Sequence, residues 1–302
     1  MSRNLKFFFI AFSASIFIWA GMNILTDNLE DFLFSEVYRL SSQPLLAQIN
    51  LQVSRNLDKE TPEIEAKSVI SVKIDKQGNE KIIFEKNSDE ILPIASLTKL
   101  MTAFVALEYY DSSEMARISK EAVAQPEDFG QLKVGERLSV ENLLYITLIE
   151  SSNDSAYALS ELMSKEAFVD LMNIEAEYLG LKNTYFTDPA GYDSENHSTV
   201  QDLVKFARYL LDKRPEIWEI TVNPEFELYD LDGVFHHQLL TTNEIINEFP
   251  EIIGGKTGYT LEAKGCLILV LKDKRTENIF INVILRSDNR FEDMKKLINY
   301  VR

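Results

Sequence analysis

Apolar and polar positions change their period several times along the chain, and each change predicts an element. The first feature is an uncharged apolar run over residues 7–25. At 1.5 Å per residue it reaches about 28 Å, close to the hydrocarbon thickness of a bilayer. Arg3 and Lys6 precede the run, and Asp27, Glu30 and Asp31 follow it. That asymmetry predicts an uncleaved anchor at 1–28, with the N-terminus inside and the rest of the chain outside. The rival is a cleaved signal peptide, whose apolar region is normally shorter and ends in an A-x-A site. Residues 29–66 then read as a juxtamembrane stalk and linker. "NLEDFLFSEVYRLSSQPLLAQINLQ" has helical spacing, and "SRNLDKETPEIEAKS" is polar with a proline.

From Lys67 onward the pattern is that of a folded domain, expected over 67–302. "SVISVKID" and "KIIFEK" are β-rich runs joined by a loop with a glycine, which predicts a hairpin. "LTKLMTAFVALEYY", "SVENLLYITLIE", "SAYALSELMS", "KEAFVDLMNIEAEYLG" and "TVQDLVKFARYLL" have helical periodicity. Ser139 and Thr199 are placed as N-caps. "GCLILVLKD" and "IFINVILR" are long β runs, and "RFEDMKKLINYVR" reads as a final helix. No internal repeat interrupts this order. The early and late strands can share a sheet only by pairing across the helical middle. The expected class is therefore α/β in the α+β sense: an antiparallel sheet flanked by helices, with a helical subdomain.

Composition changes this picture little. The 302 residues suit one large domain or two small ones, and 45% hydrophobic with 26% charged is ordinary for a globular chain. A net charge of −17 argues against a nucleic-acid partner, since a polyanion is repelled. Cys266, the one cysteine, cannot form an intrachain disulfide and falls in an apolar β run, where a core thiol is expected. His197, His236 and His237 are accompanied by no HExxH or CxxC pattern, so no metal is expected.

Candidate chemistry begins at "ILPIASLTKLMTA", where Ser96 stands three residues before Lys99. Roughly one such pair is expected by chance in a chain of this length. On a helix, however, i and i+3 share a face, about 5–6 Å apart at Cβ. A serine hydroxyl is a poor nucleophile until a base accepts its proton. A lysine can serve only if its pKa falls, through burial or a second cation. Two further stretches follow in order: Ser151-Ser152-Asn153 in "IESSNDSAYAL", after a helix, and Lys256-Thr257-Gly258 in "IIGGKTGYTLEAKGCL", before a long strand.

The ordered set S-x-x-K, S-x-N, K-T-G resembles the signature of β-lactamases and penicillin-binding proteins. With "LKVGERLSVENLLYITLIESSNDSAYALSE", "NTYFTDPAGYD" and "GGKTGYT", the chain is similar to serine-type D-alanyl-D-alanine carboxypeptidases of the peptidase S11 group. These are low-molecular-mass penicillin-binding proteins with a β-lactamase/transpeptidase-like fold. The resemblance implies a bacterial cell-membrane enzyme whose catalytic domain lies on the extracytoplasmic side. It would remove the terminal D-alanine from peptidoglycan stem peptides and be acylated by β-lactams, without a cofactor. By the same resemblance Ser96 is the nucleophile and Lys99 its base. Ser151 relays a proton to the leaving group, Asn153 binds the substrate backbone, and Lys256 and Thr257 hold its terminal carboxylate. Gly258 lets the strand approach closely, and the amides of Ser96 and Tyr259 form the oxyanion hole. Arg290, in "SDNRFEDMKK", matches an arginine that pairs with the free carboxylate.

The chain departs from its relatives at Ser152, where glycine is common, and at Ala263-Lys264-Gly265, where many have "AG". It also ends at Arg302, where many continue into a β-rich domain and an amphipathic helix. Three alternatives stand beside the carboxypeptidase reading. A DD-endopeptidase shares these motifs. A class A β-lactamase needs an E-x-x-x-N loop that "NTYFTDPAGYDSENHS" lacks. A non-catalytic peptidoglycan-binding protein would have no need of intact Ser96, Lys99 and Lys256.

Overall fold

The computed structural model describes residues 61–302, apart from Asp128 and Leu231. The anchor expected at 1–28, and the stalk as far as residue 60, lie outside the described residues. Among the described residues no helix is long and apolar enough to cross a membrane.

Strands β1 (Ser68–Ile74) and β2 (Glu80–Lys86) form the expected hairpin. The short β3 (Leu92–Pro93) leads into a 3₁₀ turn, Ala95–Thr98, and helix α1 (Lys99–Tyr109). The middle of the chain holds β4 (Met115–Arg117), α2 (Lys120–Val123), β5 (Arg137–Ser139) and α3 (Val140–Tyr145). A π turn over Ile146–Glu150 follows, then α4 (Asn153–Glu161) and α5 (Lys165–Tyr178). Next come β6 (His197–Ser198), α6 (Val200–Lys213), α7 (Pro215–Thr221) and the hairpin β7 (Glu225–Tyr229) and β8 (Phe235–Leu240). The chain closes with β9 (Ile252–Thr260), β10 (Lys264–Lys272), β11 (Ile279–Ser287) and α8 (Arg290–Val301).

The five-stranded sheet has the order β2-β1-β11-β10-β9. Every neighbouring pair is antiparallel, and β1 meets β11 across the helical middle. Period-2 alternation sorts the side chains into two layers. Ile70, Val72, Ile268, Val270, Ile281 and Val283 face the helical subdomain. Val69, Leu267, Leu269, Leu271 and Ile284 face α8 through Met294, Leu297 and Ile298. Both faces of β10 are covered, which is why "GCLILVL" is apolar throughout. β9 is an edge strand, so one side of its backbone pairs with no further strand, and there the Gly255 amide donates to Thr221 Oγ1 at 3.0 Å.

Ser139 caps α3 by accepting the Asn142 amide at 3.1 Å, and Thr199 caps α6 by accepting the Asp202 amide at 3.1 Å. Cys266 is fully buried, and burial pushes its thiol up to about 11. The folded unit begins slightly ahead of the expected Lys67 boundary. Ile64 and Ala66 are buried against α8, and the amides of Glu65 and Ala66 donate to Asp293 at 3.0 and 2.8 Å. The proline and charges of that stretch hid these two core positions.

Candidate active site

Three segments meet between the sheet edge and the helical subdomain. Ser96 sits in the 3₁₀ turn that precedes α1, and α1 itself starts at Lys99. In a 3₁₀ turn positions i and i+3 eclipse, which aligns the two side chains. Lys99 Nζ lies 2.8 Å from Ser96 Oγ. It also lies 2.7 Å from Asn153 Oδ1 and 2.7 Å from the Ala190 carbonyl. A neutral amine has two protons and one lone pair. The two carbonyl oxygens can only accept, so they take the protons and leave the lone pair aimed at Ser96 Oγ.

Lys99 is fully buried, and that burial pushes its ammonium down to about 7, while Asp188 and Glu127 pull the other way. Burial, rather than a neighbouring cation, therefore makes Lys99 a base near neutral pH. Lys256, 2% exposed, is itself held well below the ordinary lysine range, first by burial and then by Lys99 and Arg290.

The second segment turns sharply. The π turn ends at Ser151, whose φ of 65° and ψ of 28° are left-handed. A non-glycine residue there costs of order 1–3 kcal/mol and is characteristic of functional sites. Ser152 then caps α4, accepting the Ser155 amide at 3.2 Å, and donates to the Phe129 carbonyl at 2.6 Å. Asn153 is fixed at both ends of its amide, since its Nδ2 donates to the Pro126 carbonyl at 2.7 Å. Lys256, from β9, donates to Ser151 Oγ at 2.7 Å and to the Thr257 carbonyl at 3.1 Å.

Gly258 brings β9 against the nucleophile turn. A Cβ there would lie 3.0 Å from both Ser96 N and the Ile94 carbonyl, so a side chain would push the strand away. Tyr259, the next residue of β9, is exposed. Arg290 Nη1 donates to the Gly258 carbonyl at 2.9 Å, and its guanidinium lies 4.8 Å from the Phe291 ring and 6.0 Å from the Tyr259 ring. Its Nε is buried without a hydrogen-bond partner. Thr257 shares its hydroxyl with Thr242, Oγ1 to Oγ1, at 2.5 Å.

All nine residues singled out in the sequence thus lie in these three segments or beside them. Sequence reasoning did not single out the loop that supplies the Ala190 carbonyl. Asp188 holds that loop by accepting the amides of Ala190 and Gly191, each at 2.6 Å, and that of Asp193 at 2.9 Å. Gly191, with φ of +82°, lets it press on the Ser96 turn, since a Cβ there would fall 2.0 Å from the Ala95 carbonyl. The block "TDPAGYD" was visible in the sequence, but a contact made by a main-chain oxygen leaves no side-chain signature.

His236 and His237 approach each other at Nδ1, and their Nε2 atoms meet Glu136 at 3.2 Å and Glu150 at 3.0 Å. Among the described residues no group of three or more histidine, cysteine or acidic side chains could hold a metal. A cavity of about 550 Å³, lined by Leu271, Phe280, Ile298 and Arg302 among others, opens at the far end of β10. None of the nine residues singled out in the sequence lines it.

Comparison with known proteins points to one family. The family described as D-alanyl-D-alanine carboxypeptidase, Peptidase S11, matches residues 55–289. The D-alanyl-D-alanine carboxypeptidase DacF of Bacillus subtilis is 38% identical over 212 residues, covering 67% of this chain and 53% of the relative. A D-alanyl-D-alanine endopeptidase of Pseudomonas aeruginosa is 33% identical over 207 residues, covering 64% of each protein. The chain thus spans roughly half to two thirds of the length of these relatives. The structure of penicillin-binding protein D2 from Listeria monocytogenes, in its cefotaxime-bound form, superposes with a TM-score of 0.70 at 27% identity. That match covers 80% of this chain and 99% of the Listeria chain. On its family match and on its fold, the chain belongs to the D-alanyl-D-alanine carboxypeptidase family, peptidase S11.

Proposed function

We propose that the chain is a serine-type D-Ala-D-Ala carboxypeptidase acting on peptidoglycan stem peptides. The observation that carries this reading is the pair of buried lysines, each on a serine: Lys99 at 2.8 Å from Ser96 and Lys256 at 2.7 Å from Ser151. Lys99 accepts the Ser96 proton as Oγ attacks the carbonyl carbon of the penultimate D-alanine. The developing oxyanion is received by the amides of Ser96 and Tyr259, which the close approach of Gly258 favours. Ser151 gives its proton to the leaving nitrogen and is resupplied through Lys256. The bond to the terminal D-alanine breaks, an ester to Ser96 remains, and the departing amine takes the Lys99 proton as it becomes an ammonium, which frees Lys99 for the second step. Water then attacks that ester, Lys99 takes its proton and passes it to Ser96 Oγ as the ester bond breaks, and the acid so formed gives its own proton back to Lys256. An incoming carboxylate favours the charged form of Lys256, countering the burial that holds its pKa down. Arg290 and the Thr257 hydroxyl supply the remaining donors for that carboxylate. A β-lactam presents a strained amide beside a carboxylate and would acylate the same Ser96.

The endopeptidase reading is favoured by one observation, the Pseudomonas relative named for that activity. Mass spectrometry of stem pentapeptides and crosslinked dimers separates the two. Loss of one alanine supports the carboxypeptidase, a cut crosslink the endopeptidase, and an unchanged mixture refutes both. Ser96→Ala should abolish the reaction and covalent labelling by benzylpenicillin. The apolar run at 7–25 and its flanking charges support placement of this domain outside the cell membrane on an N-terminal anchor.

A further inference from the structure

We infer that Thr242 is a positioning residue that fixes the Thr257 hydroxyl as a donor toward the substrate's terminal carboxylate, an inference that rests on the carboxypeptidase reading. Thr242 follows the β7–β8 hairpin and bridges two of the three site segments. Its amide donates to the Ile149 carbonyl in the π turn ahead of Ser151, at 3.4 Å. Its Oγ1 lies 2.5 Å from Thr257 Oγ1 on β9.

Two hydroxyls in contact share one proton and leave one over. If Thr257 donates to Thr242, Thr257 turns lone pairs toward the cleft and repels a carboxylate. If Thr242 donates, Thr257 keeps its own proton for the carboxylate. Each donor in such a chain polarises the next, so the second arrangement also strengthens the bond to substrate. No other side-chain hydrogen bond of Thr242 competes for its proton among the described residues. Thr257 is only 4% exposed, so bulk water is a poor substitute for the missing donor. The same wiring serves selectivity. A neutral C-terminal amide gains less than a carboxylate from a donor held in this direction.

The test compares Thr242→Val, Thr242→Ala and Thr242→Ser with the wild type on a diacylated L-Lys-D-Ala-D-Ala peptide and on its C-terminal amide. Thr242→Val should lower kcat/KM on the free acid by about five- to tenfold, mostly through KM, and leave the amide almost unchanged. Thr242→Ser should restore the acid-to-amide ratio, and Thr242→Ala should repeat the valine result without added bulk. An unchanged ratio in the valine and alanine variants, or equal losses on both peptides, overturns the role of Thr242 while leaving the carboxypeptidase reading intact. A wild type that cleaves neither peptide and takes no label from benzylpenicillin overturns the carboxypeptidase reading, and the inference falls with it.

Discussion

Lys256 and Ser151 are 105 residues apart in the chain, yet Lys256 Nζ donates to Ser151 Oγ across 2.7 Å. The contact ties the edge strand to the strained end of the π turn. It gives Ser151 a proton source in Lys256. It also leaves two lysines in one dry cleft, and that pair sets the pH behaviour of the site.

Acylation should rise with pH through about 7, the value to which burial brings Lys99, and level off above it. Glu127 opposes that shift, so Glu127→Gln should move the acid limb of kcat/KM to lower pH. Stability carries the same signature. The unfolded chain keeps the Lys99 proton up to 10.5, while the folded chain releases it near 7. Unfolded protein therefore binds more protons in that window, and unfolding free energy should rise with pH across it. A pH–rate profile flat from 5 to 9 would remove Lys99 as the base.

Arg290→Ala should lower kcat/KM on a free-acid D-Ala-D-Ala peptide by about ten- to a hundredfold, the worth of a hydrogen bond to a charged group. On the amidated peptide it should lose little, because both changes delete one interaction. Arg290 also holds the Gly258 carbonyl at 2.9 Å, so Arg290→Lys should recover only part of the activity. If the wild type cleaves acid and amide equally well, carboxylate recognition is wrong and the endopeptidase reading gains.

Gly191→Ala should impair the site from outside it. The new Cβ would meet the Ala95 carbonyl at 2.0 Å, at a φ of +82° that alanine resists. The backbone strain alone costs about 1–3 kcal/mol. The loop must retreat, and the Ala190 carbonyl then leaves Lys99. Denaturant melts and the benzylpenicillin acylation rate should both fall. Wild-type values for both would mean that this close approach does not matter.

Full-length protein should stay with membranes through a carbonate wash, and deletion of residues 1–28 should release it. Processed protein recovered free of the membrane would point instead to a cleaved signal peptide.

Period and composition determined much of this protein. The order of the sheet strands and of the longer helices followed from alternation and helical spacing, as with Ser139 and Thr199 at their caps, whereas the β7–β8 hairpin and α7 were not expected. The three motifs marked Ser96, Lys99, Ser151, Asn153 and Lys256 because their chemistry resides in side chains, which a sequence records. Other features depended on the tertiary structure. The π turn and left-handed Ser151 arise where the chain after α3 must both bury Ile149 and present a hydroxyl to β9, a constraint no local propensity encodes. The depressed Lys99 pKa needs a desolvated cleft closed by a loop 91 residues away. That loop acts through the Ala190 carbonyl, a group every residue has, so sequence cannot distinguish it. Ile64 and Ala66 lay in a stretch that reads as linker, because two core residues among charges just after a proline have no period. Thr242 was indistinguishable from any turn threonine until the fold placed its hydroxyl on Thr257.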